Sequence, residues 1–231
     1  MIARIWHGMV PVSKGDEYLD LMRRIALPEY VATRGNRGAW CLYRTEAGVR
    51  HFEMLTLWDD TDAIKRFAGD DYSMAKYYDF DSNYLIEMEG RVQHYEAYSD
   101  SSADPFRPTD GRVRGDENMI ARVWRGAVPM EKAEAYFRYL VDFGFRDYQV
   151  HPGHRAVHLL RRTEEARVHF LLLSFWSSRQ AIVGYAGDNI EQAHYYPYDL
   201  ECLIEPAPNV KHYELLSGPG GERFNTSGAD A

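Results

Sequence analysis

The sequence has little cysteine, which argues against a small disulfide-stapled domain. Its 231 residues include 2 cysteines, Cys41 and Cys202. In the internal alignment described below they fall opposite Leu159 and Tyr84, so the thiols are not a repeated feature. They match neither a CxxC site nor a shared disulfide, and we expect both to fill apolar space.

The sequence also lacks long apolar runs and an excess of positive charge. No stretch approaches about 18 consecutive apolar residues, and the N-terminus MIARIWHGMVPV has no apolar segment of signal-peptide length. We therefore expect a cytoplasmic protein with no membrane partner. The 27 Lys and Arg against 35 Asp and Glu give a formal net charge of −8, which repels phosphate backbones. Nucleic acid is accordingly not an expected partner.

The strongest signal present is an internal repeat. Residues 1–98 align with residues 119–216 without a gap, and about 37 of the 98 positions are identical. We predict that each copy is one α+β module. Residues 99–118, rich in Ser, Asp, Pro and Gly, are predicted to be a polar linker, and residues 217–231 a disordered tail.

Each module is predicted to follow the order β-α-β-β-α-β. Apolar residues from Tyr18 to Ile25 form one stripe of an amphipathic helix, and a shorter stripe runs from Ala63 to Ala68. Runs of period two predict strands at about 2–10, 38–45, 50–58 and 91–98, with equivalents 118 residues later.

Such a ferredoxin-like module has helices on one face of its sheet and leaves the other face uncovered. The strand at 50–58 carries apolar residues on both faces, so a second sheet would supply the cover. The nearest partner is the other copy, because fusion raises its effective concentration. We predict an α+β fold in which tandem ferredoxin-like modules form a pseudo-twofold dimeric α/β barrel. Further association into a homodimer stays open.

Three motifs occur in both copies. A strand ends in Trp before a short helix (TLWDDTDAIKRFAGDD and SFWSSRQAIVGYAGDN), a Tyr-Tyr turn follows, and the last strand contains HYE. This pattern resembles the antibiotic biosynthesis monooxygenase-like family of the dimeric α/β-barrel superfamily. Trp58 and Trp176 match the Trp that ends the third strand there, while Met54 and Leu172 stand where active oxygenases of the family carry Asn.

The resemblance implies a small-molecule oxidoreductase. Cofactor-independent monooxygenases of the family oxidise aromatic or polyketide-like substrates with molecular oxygen and need no cofactor. Related barrels include haem-degrading enzymes, isomerases and members of unknown function. A non-catalytic ligand-binding or scaffold protein is the third hypothesis.

The candidates for catalysis are two repeated histidines and two repeated tryptophans. An imidazole can transfer protons near neutral pH, and an indole can wall a pocket and donate one hydrogen bond. The structural alternatives are a histidine bonded to a carboxylate such as Glu87 or Glu205, and a tryptophan that closes the sheet-helix interface. The candidates are His94 with His212 and Trp58 with Trp176.

The candidates for ligand binding are repeated arginines and tyrosines. Each Arg lies two residues before a Trp on one strand face and could hold a carboxylate or phenolate, although a structural ion pair is the alternative. The adjacent tyrosines follow a short helix where a flap would cover a ligand, and we expect only one of each pair to face inward. The residues are Arg4, Arg122, Tyr77, Tyr78, Tyr195 and Tyr196.

Histidines present only in the second copy leave a haem or transition-metal cofactor open. If the chain is extended there, His154 and His158 share a strand face. His194 lies close to where related haem-degrading barrels hold their iron. Surface histidines are the alternative. The leading hypothesis places the working pocket in the second copy, lined by Trp176, Tyr195, His212 and Arg122.

Overall fold

A computed structural model of the protein describes residues 1–99 and 119–216. The predicted linker, beyond Ser99, and the predicted tail at 217–231 lie outside these residues. Within the described ranges we find no helix with the length and apolar character needed to cross a bilayer.

The chain divides into two compact units, one of residues 1–95 with the C-terminal stretch from Glu214, the other of residues 96–213. In the first unit β1, β3 and β2 pair antiparallel in that order. Its elements are β1 (Ile2–Pro11), α1 (Val12–Leu21), a π-helical turn (Met22–Ala26), α2 (Leu27–Ala32), β2 (Asn36–Glu46), β3 (Val49–Trp58), α3 (Thr61–Ala68), a 3-10 turn (Asp81–Asn83) and the start of β4 (Gln93–Ser99).

The second unit repeats this plan, with β5, β7 and β6 paired antiparallel in that order. Every strand predicted from the sequence is confirmed to within two residues. The elements are β5 (Ile120–Pro129), a 3-10 turn (Met130–Lys132), α4 (Ala133–Tyr139), a π-helical turn (Leu140–Gly144), α5 (Phe145–Gln149), β6 (His154–Glu164), β7 (Arg167–Trp176), α6 (Arg179–Ala186), α7 (Pro197–Cys202) and β8 (Lys211–Leu215).

The last strand of each sequence repeat ends in the other repeat's unit. In the first unit Leu215 of β8 pairs with Leu42 of β2. In the second unit the end of β4, from Glu96 to Ser99, pairs with β6. These pairings cover strand edges that would otherwise expose unpaired backbone groups. The compact units therefore differ from the sequence repeats at their last strand.

Alternation along the strands decides which side chains face the helices. In β3, Phe52, Met54 and Trp58 belong to the apolar core that includes Tyr18 and Ile64 of the helices. Their neighbours on the opposite face are also buried, as the two-sided apolar pattern predicted. The predicted fold class is confirmed, with α+β modules in tandem of the dimeric α/β-barrel type.

A π-helical turn interrupts the first long helix of each unit, which the sequence did not predict. The turns are Met22–Ala26 and Leu140–Gly144. A π turn inserts an extra residue into the helix and frequently lies at a functional site. Both turns contribute residues to the pockets described next.

Candidate functional site

Each unit contains a pocket between its helices and its sheet, at equivalent positions. The second-unit pocket measures about 490 Å³, counted to its open mouth, and the first-unit pocket about 230 Å³. Every residue lining the smaller pocket has its counterpart, 118 residues later, in the larger one. The smaller pocket is lined by Trp6, Tyr18, Met22, Ala26, Tyr30, Met54, Lys76, Tyr78 and Asp81.

The second-unit pocket has mostly aromatic walls and a few polar groups, the composition expected of a small-molecule site. Its aliphatic surface is small, and glycine stands at one position where the first unit has alanine. The lining residues are Arg122, Trp124, Tyr136, Tyr139, Leu140, Phe143, Gly144, Asp147, Tyr148, Leu172, Tyr185, His194, Tyr195, Tyr196 and Asp199.

Arg122 forms the buried, positively charged part of this wall, since only 2% of its surface is exposed. One guanidinium nitrogen, Nη2, donates to the carbonyl of Gln192 at 2.9 Å, and Cζ lies 5.5 Å from the ring centre of Tyr185. Its Nε is buried and has no hydrogen-bond partner. Arg4 likewise donates to the carbonyl of Met74 at 2.9 Å. Among the described residues neither arginine forms the ion pair considered from sequence.

Trp124 lies on the same strand face as Arg122 and is held by two contacts. Its Nε1 donates to the Tyr195 hydroxyl at 3.0 Å, and that hydroxyl donates to the Ala207 carbonyl at 2.7 Å. The indole lies over Gly126, where a Cβ atom would come 2.5 Å from the ring. Glycine two residues along the strand is therefore what allows the indole to lie flat.

Tyr196 joins the pocket wall to two carboxylates. Its hydroxyl donates to Asp147 Oδ2 at 2.7 Å, and its backbone N–H donates to Asp199 Oδ2 at 2.8 Å. Burial raises the pKa of Asp199, although hydrogen bonds from Tyr196 and Tyr136 oppose that shift. Tyr195 and Tyr196 both line the pocket, so the expectation that only one of each pair faces inward is wrong for this pair, although in the first unit only Tyr78 lines the pocket. The residues lie outside a strand and are not bound to its alternation.

The first unit places its tyrosines differently. Tyr78 lines the smaller pocket and donates to Glu29 Oε2 at 2.6 Å. Tyr77 donates instead to the carbonyl of Glu89 at 2.6 Å and is not among the lining residues.

His194 and its counterpart Lys76 account for part of the difference in volume. The Lys76 ammonium lies 2.5 Å from Glu29 Oε1 and 4.3 Å from the ring centre of Phe67, which ties the side chain across the first pocket. His194 has ring contacts with Tyr196 at 4.8 Å and Tyr185 at 5.8 Å. It lines the pocket and is also exposed to solvent.

The predicted tryptophans lie behind the pockets and are fully buried. Trp58 Nε1 donates to Thr56 Oγ1 and Trp176 Nε1 to Ser174 Oγ, both at 2.9 Å. Trp176 also packs against Tyr185, with ring centres 5.4 Å apart. Since neither indole is among the lining residues, each supports the wall and does not face the cavity.

The predicted histidines of the last strands also lie outside the pocket linings. His212 Nδ1 is 3.1 Å from Glu191 Oε2, so its carboxylate partner is Glu191 and not Glu205. Burial lowers the pKa of His212, and Glu191 opposes that shift. The pKa of His94 falls to about 4 because of burial and the nearby charge of Arg4.

His154 and His158 do not share a strand face, contrary to the expectation from sequence. Strand β6 has a register shift between His154 and Ala156. The extra residue turns His154 toward Trp176, at 5.3 Å between ring centres, and His158 toward Phe175, at 5.7 Å. Within residues 1–99 and 119–216, no group of three or more His, Cys, Asp or Glu side chains could hold a metal ion.

No protein-family model and no curated protein sequence matches the chain. Solved structures do match in fold. A proposed monooxygenase of Fusobacterium nucleatum shares 13% identity at a TM-score of 0.62, over 93% of this chain and 90% of that one. One from Lactobacillus acidophilus shares 11% at 0.61, over 93% and 92%. An anthrone oxidase-like protein shares 14% at 0.55, over 99% and 97%. The resemblance inferred from the sequence motifs is confirmed for the fold.

Sequence reasoning missed three residues that line the second pocket. Gly144 and Phe143 belong to the π-helical turn, and Asp147 follows one turn later. The usable signal was the difference between copies, because these positions hold Ala26, Ile25 and Glu29 in the first. That comparison did single out His194, since the first copy has Lys76.

Proposed function

We propose that the chain, which has the fold of the antibiotic biosynthesis monooxygenase-like proteins, is a small-molecule oxidoreductase. It oxidises an aromatic or polyketide-like substrate with molecular oxygen in the second-unit pocket. The observation that carries the proposal is an aromatic pocket, about 490 Å³ when counted to its open mouth, with Arg122 buried in its wall and His194 exposed among its lining residues.

The substrate is its own reductant, and it gives up electrons to oxygen as an anion. The reaction therefore needs a base to form the anion and a positive charge to stabilise it. His194 removes a proton from a phenolic or anthrone-like substrate, and the guanidinium of Arg122 stabilises the resulting anion. The anion transfers electrons to oxygen, a carbon–oxygen bond forms, and loss of water from the hydroperoxide leaves a carbonyl. For anthrone the balance is anthrone plus O2 giving anthraquinone plus water. The proton taken by the base returns to the peroxide, and the second C–H proton leaves with the departing hydroxide as water.

The remaining predicted residues position the side chains that line the pocket. Trp176 supports Tyr185 from behind, and His212 lies near enough for the charge of Arg122 to affect its titration. Tyr195 fixes Trp124, as described above. The first unit serves as scaffold because its pocket is smaller and is lined by Lys76, which is paired with Glu29, where the second unit has His194.

The test is oxygen uptake with anthrone by metal-free protein, comparing His194→Gln with Lys76→Gln. A general base contributes roughly 10²- to 10⁴-fold, so we expect kcat/KM to fall at least about 100-fold in His194→Gln. Lys76→Gln should retain wild-type turnover. Unchanged uptake in His194→Gln would remove the imidazole from the mechanism.

Two further variants separate positioning from chemistry. We expect Trp176→Phe and His212→Ala to raise KM more than they lower kcat, since neither side chain lines the cavity. A loss confined to kcat would instead place that residue in the chemical step.

The other hypotheses predict different outcomes. Haem-dependent activity would produce a Soret band after haem addition that His194→Gln abolishes. A binding protein would hold anthrone tightly without consuming oxygen.

A further inference from the structure

Three aromatic side chains, Tyr139, Phe143 and Tyr198, form an aromatic rim at the mouth of the second-unit pocket. Phe143 is 47% exposed and Tyr198 36% exposed, and because their rings are joined through Tyr139 they form one apolar patch rather than isolated exposed residues. Tyr139 and Phe143 line the pocket, whereas Tyr198 lies beyond it. The rim therefore continues the pocket wall outward into solvent.

Ring contacts join the rim to the pocket interior in an unbroken series. Tyr196, inside the pocket, meets Phe143 edge to face at 5.2 Å between ring centres. Phe143 stacks on Tyr139 at 5.5 Å, and Tyr139 meets Tyr198 at 4.9 Å. A ligand that extended from the buried end near Arg122 toward the mouth would pass along this aromatic surface.

The first unit has no comparable rim. Leu21 and Ile25 replace Tyr139 and Phe143, and Phe80 replaces Tyr198. Phe80 stacks instead on Tyr78, 5.2 Å between ring centres, beside the smaller pocket. The exposed aromatic surface is thus found beside the larger pocket and not beside the smaller one. This is the arrangement expected if the surface binds part of the ligand.

We propose that the aromatic rim binds an apolar extension of the substrate and that Phe143 determines this specificity. The substrate class is then a hydroxyarene whose oxygen lies toward Arg122 and whose apolar substituent lies against Phe143 and Tyr139. This inference rests on the proposed function, because it assigns the ligand to the same pocket. Oxidation is not required for it to hold.

The probes are 4-methylphenol and 4-hexylphenol, which share a phenol head and differ in the length of the apolar substituent. Dissociation constants are measured by calorimetry for wild type and Phe143→Ala. Removing about 50–60 Å² of apolar contact corresponds to roughly a tenfold loss. We expect Phe143→Ala to weaken 4-hexylphenol about tenfold and to leave 4-methylphenol within about twofold.

The matched control is Ile25→Ala, which truncates the equivalent residue of the first unit, itself 41% exposed. It should leave both dissociation constants unchanged. Thermal unfolding of both variants verifies folding.

Equal weakening of both phenols by Phe143→Ala, or no weakening, overturns the rim proposal. So does wild-type protein that binds 4-hexylphenol no more tightly than 4-methylphenol, even if it oxidises anthrone. Retained preference for 4-hexylphenol in a protein that consumes no oxygen with anthrone supports the rim and overturns the proposed reaction. Absence of binding by either phenol overturns both.

Discussion

Substitution of Gly144 should change stability and ligand binding in opposite directions. Its backbone angles, φ −58° and ψ −46°, are helical and suit any residue. A Cβ there would meet Leu140 Cδ2 at 3.9 Å, an ordinary contact. Because glycine in a helix is about 0.5–1 kcal/mol less favourable than alanine, Gly144→Ala should raise the free energy of unfolding by that amount. For a protein of this size 1 kcal/mol corresponds to about 2–4 °C, so the melting temperature should rise about 1–4 °C.

The same position lines the pocket, so a larger side chain takes space from the ligand. We expect Gly144→Leu to weaken 4-hexylphenol binding by at least about tenfold, and Gly144→Ala to weaken it less. The two quantities are measured on the same preparations, by thermal unfolding followed by circular dichroism and by calorimetric titration. A variant that merely misfolded would lose both stability and binding.

The control is Gly184→Ala in α6, where an added Cβ meets no atom within 4 Å. It should show the same gain in stability with unchanged binding. If Gly144→Leu binds the phenol as wild type does, the cavity beside this residue is not the ligand site. If Gly144→Ala melts at a lower temperature, the propensity argument fails for this turn.

Three other perturbations test the surrounding structure. Gly126→Ala forces the Trp124 ring to move, because a Cβ would lie 2.5 Å from it; the cost should be about 1–3 kcal/mol in urea unfolding, and an unchanged midpoint would contradict the packing. Burial opposes ionisation of Glu29, yet hydrogen bonds from Lys76 and Tyr78 outweigh it and lower its pKa. The ionised Glu29 therefore stabilises the folded protein above its pKa in the unfolded chain, and this stabilisation is lost as pH falls through its folded pKa. Between pH ~6 and ~3.5, Lys76→Ala should therefore lose less stability than wild type, by about 0.3–1 kcal/mol for this partly exposed pair. With a folded pKa of about 4, His94 binds a proton less readily than in the unfolded chain. Stability should therefore fall from about pH 6.5 to about pH 4, by about 1–3 kcal/mol, and His94→Gln should flatten that slope in urea titrations at both pH values.

The sequence alone was enough for the repeat, the strands and the fold class. The strands are local properties, since an apolar segment such as β3 buries its residues whichever strand pairs with it. The pairing of Arg122 and Trp124 on one face follows from the same alternation and is confirmed. Chemistry was visible only as candidate residue types, because proximity to a cavity is not encoded in spacing.

Tertiary structure decided which of those residues meet. One extra residue in β6 placed His154 and His158 on different strand faces, and Gly144 lines the second pocket where Ala26 lines the first. Lys76, which lines the first pocket, is held by Glu29, 47 residues earlier in the chain. Such outcomes depend on hydrogen bonds and packing between distant segments, whereas periodicity reports only on near neighbours. The sequence by itself therefore determined the two modules, and only their folding determined which pocket has room for a ligand.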